Sequence, residues 1–211
     1  MSKITIHTDI HQRSEQWHEI RLGRVGGSES IVLSVKGKSA SGLGAAAFTS
    51  LYEKAFEINE KKPVKENIVT FEMQRGIDLE PEAIHEYELH KMVKVDQVGY
   101  ILNSDMKYAG YSPDGLVGED GLIEVKCPGN SEFMRQIITT EIPKRYLCQI
   151  QWGMLLSDRK WCDYVVYNPD YTKSPLYVDR VDRDDKMIEI LKSNYLAFES
   201  ELDAILERIR K

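Results

Sequence analysis

Between Asp184 and Arg210 the apolar residues Ile188, Leu191, Tyr195, Phe198, Leu202, Ile205 and Ile209 recur at intervals of three and four. That spacing keeps them on one side of an α-helix, so the stretch predicts a single amphipathic helix, with Asp184 and Asp185 suited to its N-terminus. The default partner for the stripe is the chain's own core; because it also meets a heptad, a subunit interface stays open as the other reading. Near the other end, Ser14 is placed to cap a short helix through Trp17, Ile20 and Leu22, with Gly23 as its stop. A second helix is expected to begin near Ser28. Gly42 to Ile58 carries Ala45, Ala46, Ala47, Leu51, Ala55 and Phe56, a helix small enough on one side to pack closely, ended by Lys61-Lys62-Pro63. Asn67 to His90 reads as helical again, with a kink or a fresh helix expected at Pro81, since Gly76 and Pro81 interrupt the pattern.

Strands are predicted at Met92 to Val98, Tyr108 to Val117 and Leu122 to Val125, rich in β-formers and separated by glycine-containing turns. Helices follow at about Glu132 to Thr140 and from near Pro143 through Tyr146, Gln149, Gln151 and Trp152, then strands at Trp161 to Tyr167 and Leu176 to Val181. The alternation predicts an α/β fold with a mixed sheet flanked by helices. We find no repeat, low-complexity segment or linker, and 211 residues with 42% hydrophobic side chains suffice for one core, so residues 1–211 are expected to form one domain.

Composition narrows the partners. No apolar run reaches membrane-spanning length, and Met1-Ser-Lys-Ile-Thr-Ile-His lacks the apolar centre of a signal peptide, so a soluble cytoplasmic protein is expected. Cys127, Cys148 and Cys162 form no Cys-x-x-Cys pair, which disfavours a disulfide framework, zinc ribbon or iron–sulfur cluster and points to buried free thiols. His7 and His11 lie four apart without a third ligand, and structural or surface roles account for them. A net charge of −6 argues against a globally basic nucleic-acid binder, so any DNA contact must be local, with candidate basic elements at Arg21 and Arg24, Lys36 and Lys38, Lys61 and Lys62, and Arg135 with Lys144 and Arg145.

The most chemically pointed stretch is Ser112-Pro-Asp-Gly-Leu-Val-Gly-Glu-Asp-Gly-Leu-Ile-Glu-Val-Lys-Cys-Pro128. It reads as a β-hairpin turning through Glu119-Asp120-Gly121, with Gly121 in the left-handed position. The resulting register sets Asp114 opposite Lys126 and Leu116 opposite Glu124, all on one face, while Ile123 and Val125 point to the other. A divalent cation could then take oxygens from Asp114, Glu124, the Val125 carbonyl, water and a phosphate. Mg²⁺ suits such all-oxygen octahedral ligation, and zinc, which prefers His and Cys, does not. Lys126 is placed to orient or deprotonate an attacking water and to offset phosphate charge. Pro-Asp-Gly is also a common turn and Glu-x-Lys a common surface pair; it is their combination that points to Mg²⁺-dependent phosphodiester cleavage. Gly26-Gly27-Ser28, opening a helix, offers either an anion site or a plain turn with an N-cap.

Those residues resemble the PD-(D/E)xK nucleases and, within them, the lambda exonuclease and YqaJ-like viral recombinase family. The matching segments are Trp17-His-Glu-Ile-Arg-Leu-Gly23, Ser28-Glu29, Arg75-Gly76 with Glu80, Ser112-Pro-Asp-Gly115, Leu122-Ile-Glu-Val-Lys-Cys-Pro128 and Tyr146-Leu-Cys-Gln-Ile-Gln-Trp152, in matching order and spacing over most of the chain. The resemblance implies a restriction-endonuclease-like core and a 5′→3′ exodeoxyribonuclease that degrades one strand of linear double-stranded DNA from a 5′-phosphorylated end to mononucleotides. It implies Mg²⁺ as cofactor, with Mn²⁺ as a substitute. Asp114, Glu124 and the Val125 carbonyl would hold the metal, Glu80 would add a carboxylate, Lys126 would serve the nucleophile, and Gln149 would support the site. Arg21, Ser28 and Ser112 match residues that hold the terminal 5′-phosphate.

By the same resemblance the protein would be phage- or prophage-encoded, act in the bacterial host cytoplasm, form a homotrimeric ring around DNA and work with a single-strand annealing protein. Two positions depart from the family pattern. An Arg that follows Cys-Pro in lambda exonuclease is replaced by Gly129-Asn-Ser-Glu132, leaving Arg135 on the next helix as a substitute; and Pro81 directly follows Glu80. Met73 stands where the family can insert an apolar wedge to part the strands, or serves as a core residue. The alternatives are a RecB-like endonuclease or repair nuclease on the same core, and a catalytically silent DNA-end-binding scaffold.

Overall fold

A computed structural model describes residues 3–64 and 69–210. Fourteen elements run in the order β1 (Ile4–His7), α1 (Glu15–Arg21), a 3₁₀ segment (Gly27–Leu33), α2 (Ala45–Glu60), α3 (Phe71–Lys91), β2 (Val95–Asp96), β3 (Tyr100–Asn103), β4 (Gly115–Val117), β5 (Gly121–Lys126), α4 (Asn130–Thr139), α5 (Lys144–Ser157), β6 (Trp161–Tyr167), β7 (Leu176–Asp182) and α6 (Asp185–Ile209). The main sheet has the order β2-β4-β5-β6-β7, with β5 and β6 parallel and the other pairs antiparallel. β1 and β3 form a separate two-stranded ribbon.

The sheet is mixed and helix-covered, as the alternation predicts. Its two faces bury different sets of side chains, because neighbouring residues on a strand point to opposite sides. Leu116, Leu122, Tyr164 and Val166 join Trp152, Tyr195, Phe198 and Leu202 in one cluster, in which α5 packs on the sheet and α6 packs on α5 and α2. Val117, Ile123, Val125 and Val165 meet Ala83, Ile84 and Tyr87 of α3 in the other. The α6 stripe is thus spent mainly on the chain's own core, with Ile188, Leu191, Tyr195, Phe198 and Leu202 buried. All three cysteines are free and buried.

Helix α1 forms where expected: Ser14 Oγ accepts the Trp17 amide, and Gly23 follows in the left-handed region at φ +70°. The helix expected to start at Ser28 is a 3₁₀ segment entered from Gly26, with no side-chain cap. The segment runs close to its neighbours at Gly27: a Cβ there would stand 3.0 Å from the Tyr111 ring and 3.1 Å from Gln149 Cγ, so a larger residue would need both side chains to give by a few tenths of an ångström.

Helix α3 decides against one of the two expectations at Pro81, the fresh helix. One 21-residue helix runs from Phe71 to Lys91 with Pro81 inside it, and no fresh helix opens there; the part of the expected span before Val69 lies outside the described residues. Proline inside a helix costs about 3 kcal/mol through a lost hydrogen bond and a ring clash. Contacts on both sides of Pro81 offset this: Arg75 donates to Asn168 Oδ1 at 3.0 Å, Tyr167 to Glu82 Oε1 at 2.7 Å, and Tyr87 to buried Asp163 Oδ2 at 2.8 Å.

Two strand expectations also change. Met92 to Val98 keeps only Val95–Asp96 as strand, and Tyr108 to Val117 keeps only Gly115–Val117. Pro113 has no amide to give a ladder, and the rest of that segment is held by other partners: the Tyr108 amide donates to Tyr195 OH at 2.8 Å, and Tyr108 O accepts from the Val25 amide at 2.7 Å.

Candidate active site

The hairpin of β4 and β5 pairs Gly115 with Ile123, Leu116 with Leu122 and Val117 with Gly121. The turn is therefore Gly118-Glu119-Asp120, with Gly118 at φ +55°, two residues out of the expected register. Gly121 is a strand residue, glycine because a Cβ would stand 2.2 Å from the Trp161 ring. Since side-chain direction repeats every two residues, a two-residue shift leaves every face assignment intact. Asp114 ends up across from Glu124 rather than Lys126, and its Oδ2 accepts the Val125 amide at 2.7 Å. That bond fastens the Asp114 turn to β5 between Glu124 and Lys126.

Each acidic group has a distinct environment. Glu124 is fully buried; one oxygen takes a hydrogen bond from Lys126 and the other faces Tyr111 OH at 3.4 Å. Burial raises its pKa to about 7, with the Asp114 charge adding to the rise and Lys126 opposing it. Burial raises Asp114 as well, against the pull of Lys126 and the Val125 amide. Glu80, on α3, accepts from Arg13 Nη2 at 2.6 Å and is raised by burial and by the charge of Asp114. Lys126 is held protonated: burial works against its charge, but Glu124 and Asp114 more than compensate. Its Nζ also donates to Val125 O at 3.1 Å and lies 5.0 Å over the Tyr146 ring.

Three carboxyl groups raised by burial, two of them further by the charge of Asp114, make a site that would bind a cation favourably. The donors are all oxygen, which fits a hard divalent ion. In their present positions Glu80 is turned to Arg13 and the Val125 carbonyl to Lys126, and among the described residues no three His, Cys, Asp or Glu side chains converge as a closed metal-binding group.

Beside the carboxylates lies a cavity of about 180 Å³ lined by Arg21, Ser28, Ser112, Asp114 and Gln149, together with Gln12, Arg13, Trp17, Gly26, Gly27 and Tyr100. Arg21 stacks on the Trp17 ring at 3.9 Å; burial lowers its pKa, and an Arg stays charged under such a shift. Ser112 Oγ accepts from Trp17 Nε1 and donates to Gly99 O, both at 2.8 Å. Gln12 Nε2 donates to Val98 O at 2.9 Å and to Pro113 O at 2.7 Å, pinning the turn that carries Asp114. Ser28 is exposed at the rim and Gln149 half-buried on α5.

The structure thus brings together Arg21, Ser28, Ser112, Asp114 and Gln149, with Glu124 and Lys126 on the adjoining strand and Glu80 on α3 facing Asp114. It does not bring in Arg135. That side chain is exposed on α4, where its guanidinium grips Glu132 at 2.7 and 2.8 Å, an i,i+3 pair local to the helix. Sequence reasoning missed Gln12, Arg13 and Tyr111. Tyr111 had a detectable signal in its place within the expected strand, two residues from Pro113; Gln12 and Arg13 had none, because they act from a loop through non-periodic contacts.

Comparison with known proteins places this arrangement. A family model described as YqaJ-like viral recombinase domain matches residues 16–160. An alkaline exonuclease from Laribacter hongkongensis is 31% identical, with a TM-score of 0.83 over 93% of this chain and 96% of that one; the same enzyme in complex with dAMP matches equally. A phage-related exonuclease from Haemophilus somnus 129PT, 18% identical, shares the fold with a TM-score of 0.71 over 88% of this chain and 96% of that one. A search of the curated proteins found no match.

Proposed function

The chain belongs to the YqaJ-like viral recombinase family, and from that premise we propose that it is a metal-dependent exodeoxyribonuclease that degrades one strand of linear duplex DNA from a 5′-phosphorylated end to mononucleotides. The observation that carries the reading is the adjacency of two unlike sites: a buried carboxylate–lysine group at Asp114, Glu124 and Lys126, and an anion cavity lined by Arg21, Ser28 and Ser112. An enzyme that removes terminal nucleotides needs both, one to cut and one to hold the end. The likeness to an alkaline exonuclease whose structure was solved with dAMP supports deoxynucleotide handling by this chain.

In this reading Asp114, Glu124, the Val125 carbonyl and Glu80 hold Mg²⁺, with Mn²⁺ as a substitute. When bound, the ion supplies neutralisation of phosphate charge and acidification of water. Lys126, kept protonated by its two carboxylates, orients the attacking water and offsets charge on the phosphate. Gln149 reaches the cavity from α5 and positions the substrate phosphate against Asp114. Arg21 offers a planar fork on a rigid aromatic base, a geometry matched to phosphate oxygens.

The family likeness extends the reading to phage-type recombination in the bacterial host cytoplasm, with a single-strand annealing protein as partner and a homotrimeric ring as the working assembly. A ring reconciles duplex binding with a net charge of −6, because basic residues can line a channel while acidic surface faces outward. No helix among the described residues is long and apolar enough to cross a membrane.

The test is incubation of linear and closed circular duplex DNA with the protein and Mg²⁺, beside Asp114→Ala and Lys126→Ala. Linear DNA alone should be consumed, and each substitution should lower the rate by about 10²–10⁴, the range for a group acting in the transition state. Cutting of closed circles would favour an endonuclease; metal-dependent DNA binding without product would favour a silent end-binding scaffold.

A further inference from the structure

The anion cavity holds a second guanidinium. Arg13 lines it alongside Arg21, and its side chain is 45% exposed, open to solvent at the cavity's edge. Its backbone lies at φ +70°, the left-handed region that costs a non-glycine residue about 1–2 kcal/mol. The flanking residues fix it there. Gln12 is pinned by its two carbonyl contacts, and Ser14 caps α1 while its amide bonds to His11 O at 3.1 Å. A glycine would take this conformation without penalty, yet the position carries a long charged side chain aimed at the site. Strain of this kind at a cavity wall points to function.

The geometry of the fork gives that function. Arg13 Nη2 donates to Glu80 Oε2 at 2.6 Å, which engages one arm of a group with five N–H donors. The charge of Arg13 is felt by Asp114 as well as by Glu80. We propose that Arg13 is the second phosphate-binding guanidinium of the cavity, and that through Glu80 it couples capture of a terminal 5′-phosphate to the position of the carboxylates. The proposal rests on the end-directed nuclease reading above and deepens it. Arg135 does not line the cavity, and its guanidinium is engaged by Glu132 on its own helix.

The test is equilibrium binding without turnover. Fluorescence anisotropy in EDTA compares one blunt duplex bearing a 5′-phosphate with the same duplex bearing a 5′-hydroxyl, for the wild type, Arg13→Gly and Arg13→Gln. The wild type should prefer the phosphate, and both variants should reduce that preference about tenfold, the worth of one charge-assisted hydrogen bond. Arg13→Gly should do so with a melting temperature within a few degrees of the wild type, because relief of the left-handed backbone and loss of the contact to Glu80 act in opposite directions. Retention of the full preference in both variants overturns the proposal. So does loss of preference accompanied by loss of the cooperative melting transition in both variants, which would mark a structural role. A wild type that degrades linear duplex but binds both ends equally removes the anion cavity and the proposal while leaving the exonuclease assignment standing.

Discussion

Replacing Glu124 by Gln should make the metal-free protein more stable at pH 8 and leave it unchanged near pH 4. Glu124 is 0% exposed, and its pKa is raised by burial from 4.5 to about 7 despite Lys126 beside it. A group with a raised folded-state pKa holds its proton in the native protein after the unfolded chain has lost it. Its stabilising contribution is complete below pH 4.5 and is lost as the pH climbs through about 7. At about 1.4 kcal/mol per pH unit, the ionised carboxylate destabilises the apo fold at pH 8 on the order of 3 kcal/mol. Gln keeps the shape and the neutral hydrogen bonding of the protonated acid and never ionises. A gain of 3 kcal/mol corresponds to roughly 6–12 °C in melting temperature for a chain of this size. The assay is thermal melting of both proteins in EDTA from pH 4 to pH 8. The same raised directions at Asp114 and Glu80 should give the wild type a further decline with pH in the same sense. Equal melting temperatures at pH 8, or a less stable Gln variant, would refute the claim that this carboxylate is held at a cost that a bound cation relieves.

Two further outcomes follow from the packing around the site. Tyr87→Phe should cost about 1–2 kcal/mol in urea denaturation, because it removes a hydrogen bond to buried Asp163 while Arg180 keeps its two bonds to that carboxylate at 2.7 and 2.9 Å; no loss would show that the hydroxyl does not pin α3, and with it Glu80, to the sheet. Arg135→Ala should leave the preference for a 5′-phosphate end within twofold of wild type in competitive digestion, since its partner is Glu132 on the same helix, and erasure of the preference would restore it to the phosphate site.

How much could be read in advance depended on the kind of force at work. The α6 stripe and the Ser14 cap were legible because they are local and periodic: one face buried every three or four residues, one oxygen on one amide. The face assignment in the β4–β5 hairpin was legible for the same reason, and it survived a two-residue error in register because the pattern repeats every two residues. The register itself was not. It depends on Gly121 yielding to the Trp161 ring, a contact with a residue forty positions away, so the glycine that looked like a turn residue is a strand residue. Pro81 misled in the opposite sense: the local rule says break, and tertiary bonds from Arg75, Glu82 and Tyr87 carry the helix through. Arg13 lay beyond reach altogether, since a left-handed backbone at an arginine is set by what Gln12 and Ser14 bind on either side.

The central claim is that the Asp114, Glu124 and Lys126 group cuts at an end held by the neighbouring cavity. Its most direct measurement is a time course on a linear duplex labelled on one strand at either the 5′ or the 3′ end, with Mg²⁺ and the purified protein. The account predicts that the 5′ label appears first, as a mononucleotide, that the 3′ label is released only late, and that Asp114→Ala releases neither. Early release of the 3′ label, internal fragments from a closed circle, or undiminished release by Asp114→Ala would contradict it.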